Sequence, residues 1–334
     1  MKQGWIYEKE YKGKWYKLDL PIFKEWIFFN YSYKNINGII TIGSNGLVPG
    51  IVLIRTFENG IKTCLENYSF KENEVKRSIT DNSISMQNKN NEIYIIQESK
   101  DKFRTYGNIK DISWNLKYKR ESPVFEGFEQ KVGWFKILGE NIGWQALMPK
   151  AEVNGDVNLG NKQYNIQNGS GYVDSNWGTW LIVDAHWNWV QGYGLNCTVS
   201  MFDMRYEEKT GILYLFHNNT IYEFYKHNRE YTVSHPPDCW VKDEPTGLTR
   251  PTKTIITAEN EKTSLILTLE ERWKNTFIEK LKIPFINPYW IMFESFNIIT
   301  GKLHDKNTNN EYDLDMYGFK EYGLISMKSG GNLE

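Results

Sequence analysis

The sequence predicts an all-β protein, and three observations carry that reading. Apolar and polar residues alternate along much of the chain's 334 residues. Aromatic residues make up 15%, including 13 Trp and 21 Tyr, and rings suit the pleated surface of a sheet. Helical spacing is scarce.

The clearest strand is Ile112, Trp114, Leu116 and Tyr118 on one face, with Ser113, Asn115 and Lys117 on the other. Leu265, Leu267 and Leu269 alternate in the same way with Ile266, Thr268 and Glu270. A period of two makes half-buried antiparallel strands. Leu213 to Phe216, Asn218-Asn219 and Ile221 to Tyr225 read as a hairpin, because Asn tolerates the left-handed backbone of a tight turn. Thr300 to Asp315 reads as another, with Lys306 to Asn310 at its tip. Two segments carry a helical expectation. Lys71 to Ser78 is a candidate short surface helix. Glu270 to Lys282 reads as helix or strand, since Trp273, Phe277 and Leu281 recur every four residues.

Length favours two domains, or one large β domain, at roughly 150 residues per domain. The polar, Gly- and Asn-rich run Asn154 to Gly169 is the candidate boundary. It divides the chain into residues 1–165 and 166–334 and puts the motifs described next into the second part. Basic and acidic residues number 40 and 41, for a net charge of −1, so no global field attracts nucleic acid. Cys64, Cys197 and Cys239 are odd in number and widely spaced. They read as free thiols, not as a disulfide framework or a metal site. No run approaches the ~20 apolar residues of a membrane-spanning helix, and Met1 to Trp5 lacks a signal-peptide pattern. The expectation is a cytoplasmic protein. Peripheral membrane contact and oligomeric state stay open.

Chemistry concentrates in two stretches. Gly171-Tyr172-Val173-Asp174-Ser175-Asn176-Trp177-Gly178 is followed by His186-Trp187-Asn188-Trp189-Val190-Gln191. Together they place a carboxylate, amides and indoles on strands. A dry aromatic cavity with one acid suits a large apolar substrate and protonation of an alkene. Asp174, at an ordinary pKa of about 3.9, would need desolvation or a second carboxylate to act as that acid. The alternative role is a capping aspartate. Asp203 sits in an apolar strand, where Asp is disfavoured. It is either an acid facing a cavity or the partner of Arg205. His186 could relay a proton or be structural. Trp187 and Trp189 share a strand face and could shield a cation at roughly 0.5–2 kcal/mol each, or simply pack. Tyr172 and Trp177 could dry the site. Asn176 and Gln191 could orient a substrate or satisfy backbone groups. Glu25, beside Trp26, is a buried acid or the partner of Arg55 or another base. Asp313 and Asp315 read as a solvated face. No nucleotide-binding, metalloprotease or nucleophile-elbow motif is present, so no metal and no cofactor are expected.

These motifs resemble a family of tandem lipocalin-like proteins: hydroxyneurosporene synthase (the carotenoid hydratase), tocopherol cyclase, related terpene cyclases and fungal Diels–Alderases. Glu25-Trp26-Ile27-Phe28-Phe29 is similar to the family's early Glu-Trp-aromatic strand. Gly169 to Gly178 is similar to its Gly-rich Asp/Glu-x-Asn-Trp-Gly segment, and Trp187 to Gln191 to the Trp-x-Trp strand after it. Met201 to Arg205 resembles the next strand, and Pro288-Tyr289-Trp290 through Tyr317-Gly318 the closing segment. The resemblance implies two lipocalin-like antiparallel β-barrel domains packed side by side. The carotenoid hydratases usually carry His after the motif Asp; Ser175 stands there in this chain, and Ser relays a proton less readily.

The resemblance and the residues together imply a cofactor-independent enzyme of isomerase or lyase type. It would carry out acid-initiated cyclisation, or hydration, of an isoprenoid or polyene. Asp174, Asp203 and His186 would be catalytic. Glu25, Trp26, Tyr172, Asn176, Trp177, Trp187, Trp189 and Gln191 would bind the substrate. A Diels–Alderase on the same pocket, a non-catalytic lipid binder and a carbohydrate-active β protein are the competing readings.

Overall fold

Alternation of apolar and polar residues leaves backbone N–H and C=O groups to pair sideways, and the chain does so almost throughout. The computed structural model describes residues 23–45, 50–71, 73–80, 82–131, 141–179, 186–204, 210–244, 246–280 and 289–326. The chain divides into two units, residues 1–181 and 182–334.

Unit 1 is built from β1 (Phe23–Tyr33), β2 (Ile36–Asn45), β3 (Gly50–Glu58), β4 (Ile61–Phe70), β5 (Lys76–Ile79), β6 (Ser83–Gln87), β7 (Glu92–Ser99), β8 (Lys102–Ile109), β9 (Ile112–Arg120), β10 (Phe125–Lys131), β11 (Asn141–Leu159) and β12 (Lys162–Thr179). They form one antiparallel sheet in the order β4-β3-β2-β1-β12-β11-β9-β8-β7-β6-β5, with β10 also on β11. The long return strand β12 joins the first four strands to the rest, pairing β1 on one side and β11 on the other. One face carries Ile27, Phe29, Ile40, Ile42, Val52 and Ile54, which pack with Trp114, Leu116, Tyr118, Val153 and Val173 in a single core.

Unit 2 contains β13 (His186–Tyr193), β14 (Cys197–Met204), β15 (Gly211–His217), β16 (Thr220–Tyr225), β17 (Tyr231–Ser234), β18 (Trp240–Lys242), β19 (Thr249–Pro251), β20 (Lys253–Glu259), β21 (Thr263–Lys280), β22 (Tyr289–Asp305) and β23 (Asn310–Ser326). Nine of these form a sheet in the order β16-β15-β14-β13-β23-β22-β21-β20-β17, and β18 pairs β19 separately. Both units are all-β and lipocalin-like.

Most strand expectations hold. Ile112 to Tyr118 alternates buried and exposed as expected, and Leu265, Leu267 and Leu269 are core. Asn218 and Asn219 take φ of 46° and 66° at the β15–β16 turn. The hairpin of β22 and β23 closes from Asp305 to Asn310. Asp313 and Asp315 are exposed. Cys197 and Cys239 are buried, Cys64 is half-buried, and all three are free.

The first helical expectation fails, and the second segment takes its strand alternative. In the first segment, residues from Lys76 onward form β5 on β6; eight residues are too few to sustain an isolated helix. The second lies within β21 up to Lys280, with residues 281 and 282 outside the described part. Residues four apart share a strand face as well as a helix face, so the recurrence did not discriminate. The division expected after residue 165 falls inside β12. Asn154 to Gly169 forms the β11–β12 hairpin, and the Gly171–Gly178 motif therefore belongs to unit 1.

Indoles lie over glycines of the neighbouring strand, among them Trp177 over Gly143 and Trp187 over Gly323. A Cβ at either glycine would overlap the ring. Gly323→Ala should displace Trp187 and cost about 1–3 kcal/mol. Urea unfolding followed by Trp fluorescence checks this; an unchanged midpoint would contradict the packing described.

Candidate functional site

In unit 1 the register decides what meets what. Phe28 stands opposite Asp174, Trp26 opposite Asn176 and Asn30 opposite Tyr172. On the other side, Trp144 faces Asn176 and Ala146 faces Asp174. Because side chains alternate, Trp26, Phe28, Tyr172, Asp174, Asn176 and Trp144 share one face. It is the face opposite the Ile27–Phe29 core, and both faces are buried along residues 171–178.

Asp174 is 4% exposed. Its Oδ2 accepts hydrogen bonds from Trp144 Nε1 at 3.0 Å and from Tyr172 Oη at 2.9 Å. Two donors on one oxygen fix the carboxyl plane. The Phe28 and Tyr172 rings meet edge to face at 6.2 Å. Asn176 is buried, and its Oδ1 has no hydrogen-bond partner among the described residues.

Trp177 and Glu25 lie on the opposite, core face, directly across from each other. Trp177 therefore does not wall Asp174. Glu25 lines a cavity of about 20 Å³ with Ile27, Ile42, Arg77, Ile84 and Met86. That volume admits about one water, not an isoprenoid. The base across the barrel interior from Glu25 is Arg77. Arg55 points to the other face, beside Ile39, and donates to Thr41 Oγ1 at 3.4 Å.

In unit 2, Trp187, Trp189 and Gln191 share one buried face of β13, as expected from their spacing. Asp203 lies opposite Asn188 on β14 and so points to the other, inner face. Trp187 and Trp189 therefore do not line the surroundings of Asp203. Its carboxylate is ion-paired with Lys226 and accepts from Tyr231 Oη at 3.3 Å. Gly211, directly across, leaves the space the Tyr231 hydroxyl needs. Desolvation, followed by the Asp203 charge, pushes the Tyr231 phenol well above its ordinary value. The ion pair is the alternative role expected for Asp203, with Lys226 as the cation. Arg205, its expected partner, lies outside the described residues. Gln191 Oε1 accepts from the Phe319 N–H at 3.4 Å, satisfying backbone. Half-buried His186 stands across from Leu324.

No family model matches the chain, and no curated protein sequence matches it. Solved structures do. CghA superposes with a TM-score of 0.66 over 92% of this chain and 90% of its own, at 9% identity. Kievitone hydratase from Nectria haematococca gives 0.60 over 91% and 89%, at 13% identity. An AttH candidate from Nitrosomonas europaea gives 0.61 over 90% and 92%, at 11% identity. The chain has the tandem lipocalin-like fold. Identities this low establish the fold and nothing finer.

Three features of this lipocalin-like chain escaped the sequence reading. Glu294 and Glu321 stand directly opposite each other on the buried face that carries Trp187 and Trp189, and Trp187 Nε1 donates to Glu321. The second is a buried network in which Asp243 binds Lys274, Thr276 and Thr246, and Arg250 binds Glu271. The third is Lys320, 2% exposed on the inner face. Charged residues inside strands were the available signal for Glu294, Glu321 and Lys320. Only Asp203 and Glu25 were picked up by it.

The Lys226–Asp203 pair can be tested directly. Lys226→Met strands a buried carboxylate and should cost on the order of 3 kcal/mol; Asp203→Asn in the same chain should restore much of it. Urea unfolding of the three variants reads both numbers, and a Lys226→Met protein as stable as wild type would refute the assignment.

Proposed function

We propose that the protein is a cofactor-independent enzyme that cyclises or hydrates an isoprenoid or similar polyene, with Asp174 as the acid. The observation that carries this reading is the buried Asp174 carboxyl, clamped by Trp144 and Tyr172 on an aromatic face. The shared fold with a hydratase supports it at the level of scaffold.

The chemistry follows from the residues on that face. Asp174 delivers a proton to a double bond, and the positive charge develops on carbon. Trp26, Phe28 and Trp144 present π-faces that attract such a charge by roughly 0.5–2 kcal/mol each. The cation is then consumed in one of two ways. A second double bond closes a ring and a proton returns to the Asp174 carboxylate, or water adds and gives up its proton. Asn176 Oδ1, buried and unpartnered among the described residues, is the acceptor that would orient that water. Tyr172 and Trp144 stabilise the carboxylate left behind, since hydrogen bonds to the charged form favour it.

The test uses purified protein, a panel of linear polyenes (geranylgeraniol, squalene and lycopene in micelles) and deuterated water. A product carrying one deuterium on carbon is expected from at least one of them. Asp174→Asn should lower its formation by about 10²–10⁴-fold, the usual contribution of a general acid, while quenching of Trp fluorescence by the polyene persists. An Asp174→Asn protein that turns over normally would remove Asp174 from the mechanism. Binding of all three polyenes with no product would favour a carrier.

A further inference from the structure

The interior of unit 2 is divided into layers. Val190, Met201, Leu267, Leu269, Ile256, Ile299 and Met316 belong to one apolar cluster. Leu248, Ile291, Phe293, Tyr322 and Leu324 form a second. The strands that run between them change character at one level. β22 passes from Phe293 through Ser295 and Asn297 to Ile299, and β23 from Tyr322 through Lys320 to Met316. β13 contributes Asn188 beside Val190, and β20 contributes Thr254 beside Ile256. Ser295, Asn297, Lys320, Asn188 and Thr254 are all buried. A polar belt across a barrel core lowers stability unless something needs it.

Lys320 is the centre of the belt. Its Nζ donates to Thr254 Oγ1 at 2.7 Å and to the Pro251 carbonyl at 3.3 Å, and it has no carboxylate within ion-pair distance among the described residues. A neutral amine has two N–H donors and one lone pair. Two acceptors satisfy the neutral form, whereas the ammonium keeps a third N–H without a partner. The Oδ1 atoms of Asn188 and Asn297, on the strands either side of β23 and on the same face as Lys320, also have no partner among the described residues. Asn297 spends its amide N–H groups on Ser295, so its oxygen is left for an incoming donor. Thr254 Oγ1 lies 3.2 Å from Nδ1 of His235, a half-buried ring that connects the amine towards the surface.

We propose that Lys320 is a reactive amine that captures an apolar aldehyde inside unit 2 as an imine. The lone pair of Nζ attacks the carbonyl carbon, and the carbonyl oxygen becomes the hydroxyl of a carbinolamine. Asn297 Oδ1 is the acceptor for that hydroxyl. One N–H proton leaves through Thr254 to His235, and a proton returned to the hydroxyl lets it depart as water. The carbon–nitrogen double bond forms, and no oxidant or reductant is consumed. The second apolar cluster, with Phe293 and Tyr322, takes the hydrophobic part of the aldehyde. Burial pushes the Lys320 ammonium down to about 8, opposed by Glu271 and Cys239 and assisted by Arg250. Near neutrality a fraction of it is therefore nucleophilic.

The experiment incubates the intact protein with cinnamaldehyde, reduces with borohydride and maps labelled lysines by mass spectrometry. Lys320 should be labelled at least about tenfold more than the average surface lysine at pH 7.5, since each unit of lowered pKa raises the neutral fraction about tenfold. Its labelling should be half-maximal near pH 8. Lys320→Met should lose the dominant adduct. The wild-type map decides the matter by itself if that variant fails to fold. Labelling of Lys320 at or below the surface average, or a half-maximum matching the surface lysines, would overturn the proposal.

Discussion

Burial of both sheet faces along the central strands is the constraint on which each unit depends. Residues 171–178 of β12 are buried without interruption, and so are all of β14 and all but the first residue of β13. Such strands have no solvated side on which to place polar groups. Each polar side chain there must therefore find a partner or face a ligand. Asp174 meets Trp144 and Tyr172. Asp203 meets Lys226 and Tyr231. Asn176 and Asn188 keep an oxygen without a partner among the described residues, and these positions are where a ligand would repay the cost of desolvation.

The same constraint separates the two aspartates that looked alike in the sequence. Both are buried strand carboxyls, but their neighbours differ in kind. Two neutral donors, Trp144 Nε1 and Tyr172 Oη, meet Oδ2 of Asp174. A cation, Lys226, meets Asp203.

Glycine supplies the space that the aromatic residues use. Trp177 lies over Gly143, Trp187 over Gly323, and the Tyr231 hydroxyl over Gly211. Each pairs a large ring with a missing Cβ on an adjacent strand. In unit 2 this lets Tyr231 reach Asp203 and Trp187 reach Glu321. Thirteen Trp in one chain are thus partly an architectural feature, and the ring count overstated the number of residues available to wall a substrate.

Local sequence determined the strands, the Asn218-Asn219 turn, the β22–β23 hairpin and the faces of regularly alternating segments. Period-two spacing and left-handed turn residues act over a few neighbours, so a linear reading contains them. It also singled out Asp174 and its motif, because a carboxylate among rings is rare in any strand. Only the tertiary structure decided which face each motif residue turned to, and hence that Trp177 leaves Asp174 while Trp144 joins it. It decided that Lys226, 23 residues away, pairs with Asp203, that β12 joins the first four strands of unit 1 to the rest, and that Lys320 sits in a polar belt drawn from strands far apart in the chain. Those outcomes depend on the register between distant strands, and a one-residue slip of register exchanges every face.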